Sequence, residues 1–150
     1  SADAQKAIVE ETHKRNRFAE THSTSIEGLR VSLAAGIDGI QHPEVLDGRD
    51  VPADLVQTMR ERGVICSMLA STIAGQAWQR HLKARDEAAK KRADAEKESR
   101  GLKHGKTTAE RRKDDADSGA GLESRRRNAQ ALIRGGCTVT PGTDSYWAAA

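Results

Sequence analysis

Aromatic side chains are nearly missing from this 150-residue chain, which has one Phe, one Tyr and two Trp. Apolar burial must therefore come from Ile, Leu, Val, Ala and Met. At 36% hydrophobic residues the chain can build one modest core, and a second independent core is not expected. Cysteine is equally scarce: Cys66 and Cys137 are too few for a disulfide-built scaffold and lack the short spacing of a zinc knuckle. Such cysteine usage is compatible with a cytoplasmic location. No apolar run approaches the roughly 20 residues needed to span a bilayer, and no basic stretch leads into an apolar one near Ser1. Neither a membrane protein nor an uncleaved secretory precursor is expected.

Charge is abundant but unevenly placed. From Arg80 to Arg127 there are 16 Lys+Arg against 10 Asp+Glu, which leaves 9 against 12 in the rest of the chain. The net charge of +3 and the pI near 9.0 thus describe one segment. A basic balance suggests a nucleic-acid partner, but here the suggestion reaches only that segment.

Outside it, helical and strand periods alternate. Ser1 is placed to cap a helix carrying Ala4, Ala7, Ile8 and Glu11, which Asn16 ends. Arg17 to His22 follows as a short strand. Ser25 caps a second helix with Ile26, Leu29 and Leu33 at helical spacing, and Gly36 supplies the left-handed stop. Ile37 to Gln41 is the next strand, finishing at His42. After a loop, Asp50 caps a helix with Pro52 near its start and Leu55, Val56 and Met59 inward, and Gly63 ends it before the strand Val64 to Met68. Strand, helix, strand, helix, strand at this spacing means parallel crossover units. These build a doubly wound sheet or a barrel, and both place ligands at the C-terminal strand ends.

Regularity then breaks. Gln76 to Glu98 are strong helix formers with few apolar positions, and Asp86 to Lys90 and Asp94 to Glu98 offer surface charge pairs. Gly101, Gly105 and the Asp117 to Gly121 stretch divide this region into two or three solvated helices. A helix resumes from Leu122 to Arg134 with Ala129, Leu132 and Ile133 apolar, and Cys137 to Thr140 forms a fourth strand before Asp144. The expected division is 1–75, a charged helical insertion over 76–121, and 122–150.

Three strand ends thus present His22, His42 and Asp144. Two neutral imidazoles and a carboxylate suit a zinc-class cation. Taken singly, each histidine reads as a polar strand-end residue and Asp144 as a helix cap. The repeated placement after strands is what raises the metal reading.

The stretches Glu20-Thr21-His22, Gly36-Ile37-Asp38-Gly39-Ile40-Gln41-His42 and Thr140-Pro141-Gly142-Thr143-Asp144-Ser145 resemble those of the amidohydrolase superfamily, in its imidazolonepropionase-like and prolidase-like branch. The second has Gln41 where the family commonly carries Glu. The resemblance covers about two thirds of the chain and leaves the charged segment outside. It implies an α/β fold, the second half of a TIM-like (β/α)8 barrel, with His22 on strand five, His42 on strand six, Val64 to Met68 as strand seven and Asp144 ending strand eight. The family's first-strand His-x-His pair and its fourth-strand lysine or glutamate have no counterpart here. The resemblance therefore implies the C-terminal half of a larger hydrolase, partnered by an N-terminal half that carries the His-x-His pair. A homo-oligomer is compatible with this.

By the same resemblance, His22, His42 and Asp144 are metal ligands, with Zn2+ the first expectation and one or two ions both compatible. His42 polarises substrate in one-metal members, and Asp144 shuttles the proton while an amide-type carbon-nitrogen bond of a small molecule is cleaved. Ser23, Thr72, Tyr146 and Trp147, in the loops after the strands, are the substrate-binding candidates. His13, His81 and His104 are assigned to solvated surface, and Cys66 and Cys137 to buried thiols on adjacent strands.

The charged segment allows a second reading, a basic helical module for nucleic acid or protein, through Arg111-Arg112-Lys113 and Arg125-Arg126-Arg127. Interleaved acids, and the lack of any aromatic between Trp78 and Tyr146 to stack on a base, count against nucleic acid. A solvated helical lid is the preferred assignment.

Overall fold

The computed structural model describes residues 1–99 and 108–142, the side chains of 71, 96–99 and 108–120 excepted. The first helix, α1 (Ala2–Lys14), begins where the Ser1 hydroxyl accepts the Ala4 N–H at 3.3 Å. Its inward residue is Val9, 2% exposed, whereas Ile8 stands 66% exposed. The helix is turned by one position from the expected face because it lies along α2 (Ile26–Ala35), where Gln5 donates to the Ser32 hydroxyl at 3.1 Å. Ser25 caps α2 through Gly28 N–H, and Gly36 ends it at φ 86°. At that angle a side chain would be strained, so the glycine is required.

The strands are β1 (Glu20–His22), β2 (Gly39–Gln41), β3 (Ile65–Met68) and β4 (Thr138–Pro141), all shorter at their starts than the sequence suggests. They pair in parallel in the order β1-β2-β3-β4. Strand order follows chain order without the reversal that a doubly wound sheet contains. The result is a mixed α/β fold with a four-stranded parallel sheet.

Register separates the two faces. Thr21, Ile40, Cys66 and Val139 form one row. Ile40 and Cys66 in that row are fully buried, and the Cys66 Sγ lies 3.7 Å from Met59 Sδ on α3 (Ala53–Arg62). This face carries the core, with Leu29, Leu33, Met59, Val64 and Leu132. The opposite rows are Glu20, Gly39, Ile65 and Thr138, then His22, Gln41, Ser67 and Thr140. Glu20, His22, Thr138 and Thr140 are exposed, and Gln41, Ile65 and Ser67 are half-buried. Parallel sheets are ordinarily covered on both faces. Among the described residues, this one is covered by helices on one.

Two helix boundaries differ from the sequence reading. Asp50 does not cap α3, whose N-terminal neighbour is Pro52 with no side-chain cap; Asp50 instead pairs with Arg127 at 3.1 Å. The second difference lies after α4 (Ala70–Ile73) and α5 (Gly75–Ser99), where α6 runs unbroken from Thr108 to Arg134, through the Asp117 to Gly121 stretch expected to interrupt it. Each helical glycine costs roughly 1 kcal/mol relative to Ala. A 27-residue helix packed against α4 can carry that. Near its end the buried side is Ser124, Asn128, Ala129 and Leu132, while Ile133 is 54% exposed, so the apolar face expected at Ile133 is displaced. Among the described residues no helix is long and apolar enough to cross a membrane.

Candidate functional site

His22 closes β1 and His42 stands one residue beyond β2, so both lie at the C-terminal edge of the sheet. Simple alternation would point consecutive rows apart, and His22 is in register with Gln41, not His42. The chain overcomes this by turning at His42, which takes φ 60° while its N–H donates to the Ser67 carbonyl at 2.9 Å. A non-glycine residue in this region is uncommon and costs of order 1–3 kcal/mol unless its surroundings enforce it. The turn brings the two imidazoles together, ring centroids 4.6 Å apart and planes at 75°. His22 is exposed and His42 is 6% exposed, so the pair forms a rim with one wet and one dry member.

What enforces the turn is a buried polar lattice. Glu44 is fully buried, and its Oε1 accepts from Leu69 N–H at 3.0 Å and from Arg125 Nη2 at 3.1 Å. The same oxygen is 3.9 Å from His42 Nδ1. Arg125 comes from α6 and has 11% of its side chain exposed. One turn along α6, Asn128 accepts from Val51 N–H at 2.9 Å and donates to the Glu44 and Arg49 carbonyls at 2.9 and 2.8 Å. The loop from 42 to 52 is thereby fastened to α6 at residues about 80 positions away. Sequence reasoning missed Asn128, and it read Arg125 as part of a basic triplet and not as the partner of Glu44. The available signal was polar residues at buried helical spacing, Ser124, Asn128 and then Leu132.

The basic triplet is likewise spent internally. Arg125 meets Glu44, Arg127 meets Asp50, and Arg126 lies 4.5 Å over the Trp78 ring while donating to the Ile73 carbonyl. The three arginines are thus engaged in separate contacts, at Glu44, at Asp50 and at Trp78 with the Ile73 carbonyl. The Arg111 to Lys113 side chains and His104 lie outside the described residues. On α5 Lys83 pairs with Glu87 at 4.0 Å and Arg85 with Asp86 at 3.5 Å, and Arg85 also reaches Glu123 of α6 at 2.9 Å.

Two of the histidines assigned to solvated surface have specific partners. His13 contacts Asp38 at 2.8 Å while remaining 43% exposed. Burial raises the Asp38 pKa, but the Ala19 N–H and His13 outweigh it and hold the carboxyl below its usual value. His81 is only 14% exposed, its ring 5.0 Å from that of Trp78 and its Nε2 3.8 Å from Glu123. Cys66 and Cys137 are buried free thiols, and burial pushes Cys66 up to about 12.

Two of the other sequence-predicted site residues, Ser23 and Thr72, are turned to backbone partners. Ser23 is 5% exposed, its hydroxyl directed to the Ser25 carbonyl at 3.4 Å, and Thr72 donates to the Leu69 carbonyl at 3.1 Å. Asp144, Tyr146 and Trp147 lie outside the described residues. Among the described residues no group of three His, Cys, Asp or Glu side chains is arranged to hold a metal ion. The donors brought together are His22 and His42. A cavity of about 470 Å³ between α3 and the end of α6, lined by Val56, Arg60, Ala131 and Gly135 among others, includes none of these rim residues.

No protein-family model and no curated protein matches the chain. Among solved structures, it is similar to the crystal structure of A. niger ochratoxinase, with a TM-score of 0.60 and 21% identity over 96% of this chain. The match spans 25% of that protein's chain. At this identity the likeness concerns the fold alone.

Proposed function

We propose that the chain forms the C-terminal half of a (β/α)8 metal-dependent hydrolase of the amidohydrolase type, and that His22 and His42 are two of its metal ligands. The observation that carries this is the pairing of the two imidazoles at the C-terminal strand edge, 4.6 Å apart. In parallel α/β barrels reacting groups sit at that edge. The uncovered sheet face supports the barrel half, because a barrel interior is filled only when all its strands are present. The likeness to ochratoxinase over a quarter of that chain supports the same reading.

The donor chemistry fits a zinc-class cation in kind, since neutral imidazole is a common zinc ligand. Two such donors are fewer than a catalytic site needs, and Asp144 is proposed as the third. A divalent ion held there would lower the pKa of water and polarise a substrate carbonyl. In the proposed reaction, cleavage of an amide-type carbon-nitrogen bond in a small molecule, Asp144 takes the proton from the attacking water and gives it to the departing nitrogen. His42, being nearly dry, holds its ring in a low-dielectric setting where its interaction with substrate or ion is strengthened. Tyr146, Trp147, Ser23 and Thr72 are retained as proposed substrate contacts.

The test is hydrolysis of amide or ester substrates in the presence of Zn2+ by this chain together with a half-barrel bearing the His-x-His strand. His22→Ala and Asp144→Ala are each expected to abolish turnover, and the chain by itself to be inert. Full activity in Asp144→Ala would overturn the assignment.

A further inference from the structure

We propose that Cys66, Cys137 and Met59 form a binding site for a soft monovalent cation, Cu(I), between the sheet and α3. The site is separate from the His22–His42 rim and does not depend on the hydrolase reading. Cys66 lies in the row that faces the core, in register with Val139, and Cys137 stands two residues before Val139. The side-chain period of a strand puts both thiols on the same face. There they meet one turn of α3. Cys66 Sγ donates to Met59 Sδ at 3.7 Å and Cys137 Sγ to the Val56 carbonyl at 3.4 Å, Val56 and Met59 being three residues apart on that helix. The two thiols also interact directly with each other. Three sulfur atoms are thereby gathered where water is excluded, Cys66 and Met59 fully buried and Cys137 8% exposed.

Thiolate and thioether donors select soft cations, and Cu(I) forms stable sites with three of them. Zinc in a closed site takes four donors, whereas among the described residues no third His, Cys, Asp or Glu joins the two thiols. Burial pushes the Cys66 thiol up to about 12, so at neutral pH the ion has to displace its proton. In the balanced step Cu(I) takes the place of one proton on each thiol, both protons pass to the buffer, and no electron is exchanged. The ion with two thiolates carries a single negative charge. Arg60, next to Met59 on α3, offsets it, as its guanidinium already opposes the upward push of burial on Cys137. Access is from the cavity between α3 and α6, whose wall includes Val56, which touches Cys137, and Gly135, two residues before it.

The experiment is an anaerobic titration of the reduced chain with Cu(I) held by the coloured chelator bicinchoninate, followed by X-ray absorption of the copper-loaded protein. One Cu(I) per chain is expected to leave the chelator and to show sulfur, not nitrogen, in its first shell. Because two protons are released, the affinity should rise about 100-fold per pH unit near neutrality. Met59→Leu, which keeps the volume, is expected to weaken binding roughly 10-fold, and Cys66→Ala or Cys137→Ala to abolish it. Unchanged binding in any of these variants overturns the site as assigned. So does a failure of the wild-type chain to withdraw copper, or a nitrogen first shell, and both are read without any variant having to fold.

Discussion

Asn128 shows how much a single buried amide can organise. Its side chain satisfies one N–H and two carbonyls of the 42–52 loop, and the residue is 1% exposed. Each buried polar group left without a partner costs roughly 1–3 kcal/mol. Asn128→Ala is therefore expected to lower stability by about 3 kcal/mol, measured by urea unfolding, and a loss under about 1 kcal/mol would mean the loop is held by other contacts. The sequence did not mark Asn128, because hydrophobic periodicity is blind to a polar residue on a buried stripe, and no local pattern pairs Glu44 with Arg125. His22 and His42 were legible as strand-end residues. Their contact was not, since it depends on the positive φ of His42, and nothing in the local pattern of that residue announces it.

At the scale of elements, local chemistry was most readable where it was self-contained. Ser25 and Gly36 bracket α2 as their types require, and Gly63 ends α3 at φ 67°. Asp50 misled because a residue competent to cap is equally competent to pair, and Arg127 was beyond the reach of local reading. The break expected at Asp117 to Gly121 is absent because glycine weakens a helix without forbidding it. A sharper constraint lies where α6 ends against α3. A Cβ at Gly135 would stand 2.3 Å from Val56 Cγ1 and 3.1 Å from the Ala131 carbonyl oxygen. Gly135→Ala is expected to destabilise the fold by roughly 1–3 kcal/mol, as overpacking does. Thermal unfolding measures this, and pairing the change with Val56→Ala should recover part of the loss. No recovery in the double variant would place the strain elsewhere.

For the whole molecule, the composition now has a physical counterpart. Among the described residues, a chain poor in aromatics covers one face of its sheet with helices and not the other, where Phe18 lies over Gly39 and remains 55% exposed. A half-exposed ring contributes little here, so Phe18→Ala is expected to cost about 1 kcal/mol in this chain. Within a completed barrel the same change should cost roughly 3–5 kcal/mol, the range for a buried Phe. Denaturation of the variant in both settings measures the difference, and equal costs would argue that no second half covers this face.

The central claim is that His22 and His42 together bind a divalent metal, and it is tested most directly by titrating Zn2+ into the folded chain while following the ring resonances of all its histidines. The account predicts that His22 and His42 respond together and saturably, that His13 and His81 do not, and that His22→Ala removes the response of His42. Independent responses of the two rings, or none, would contradict it.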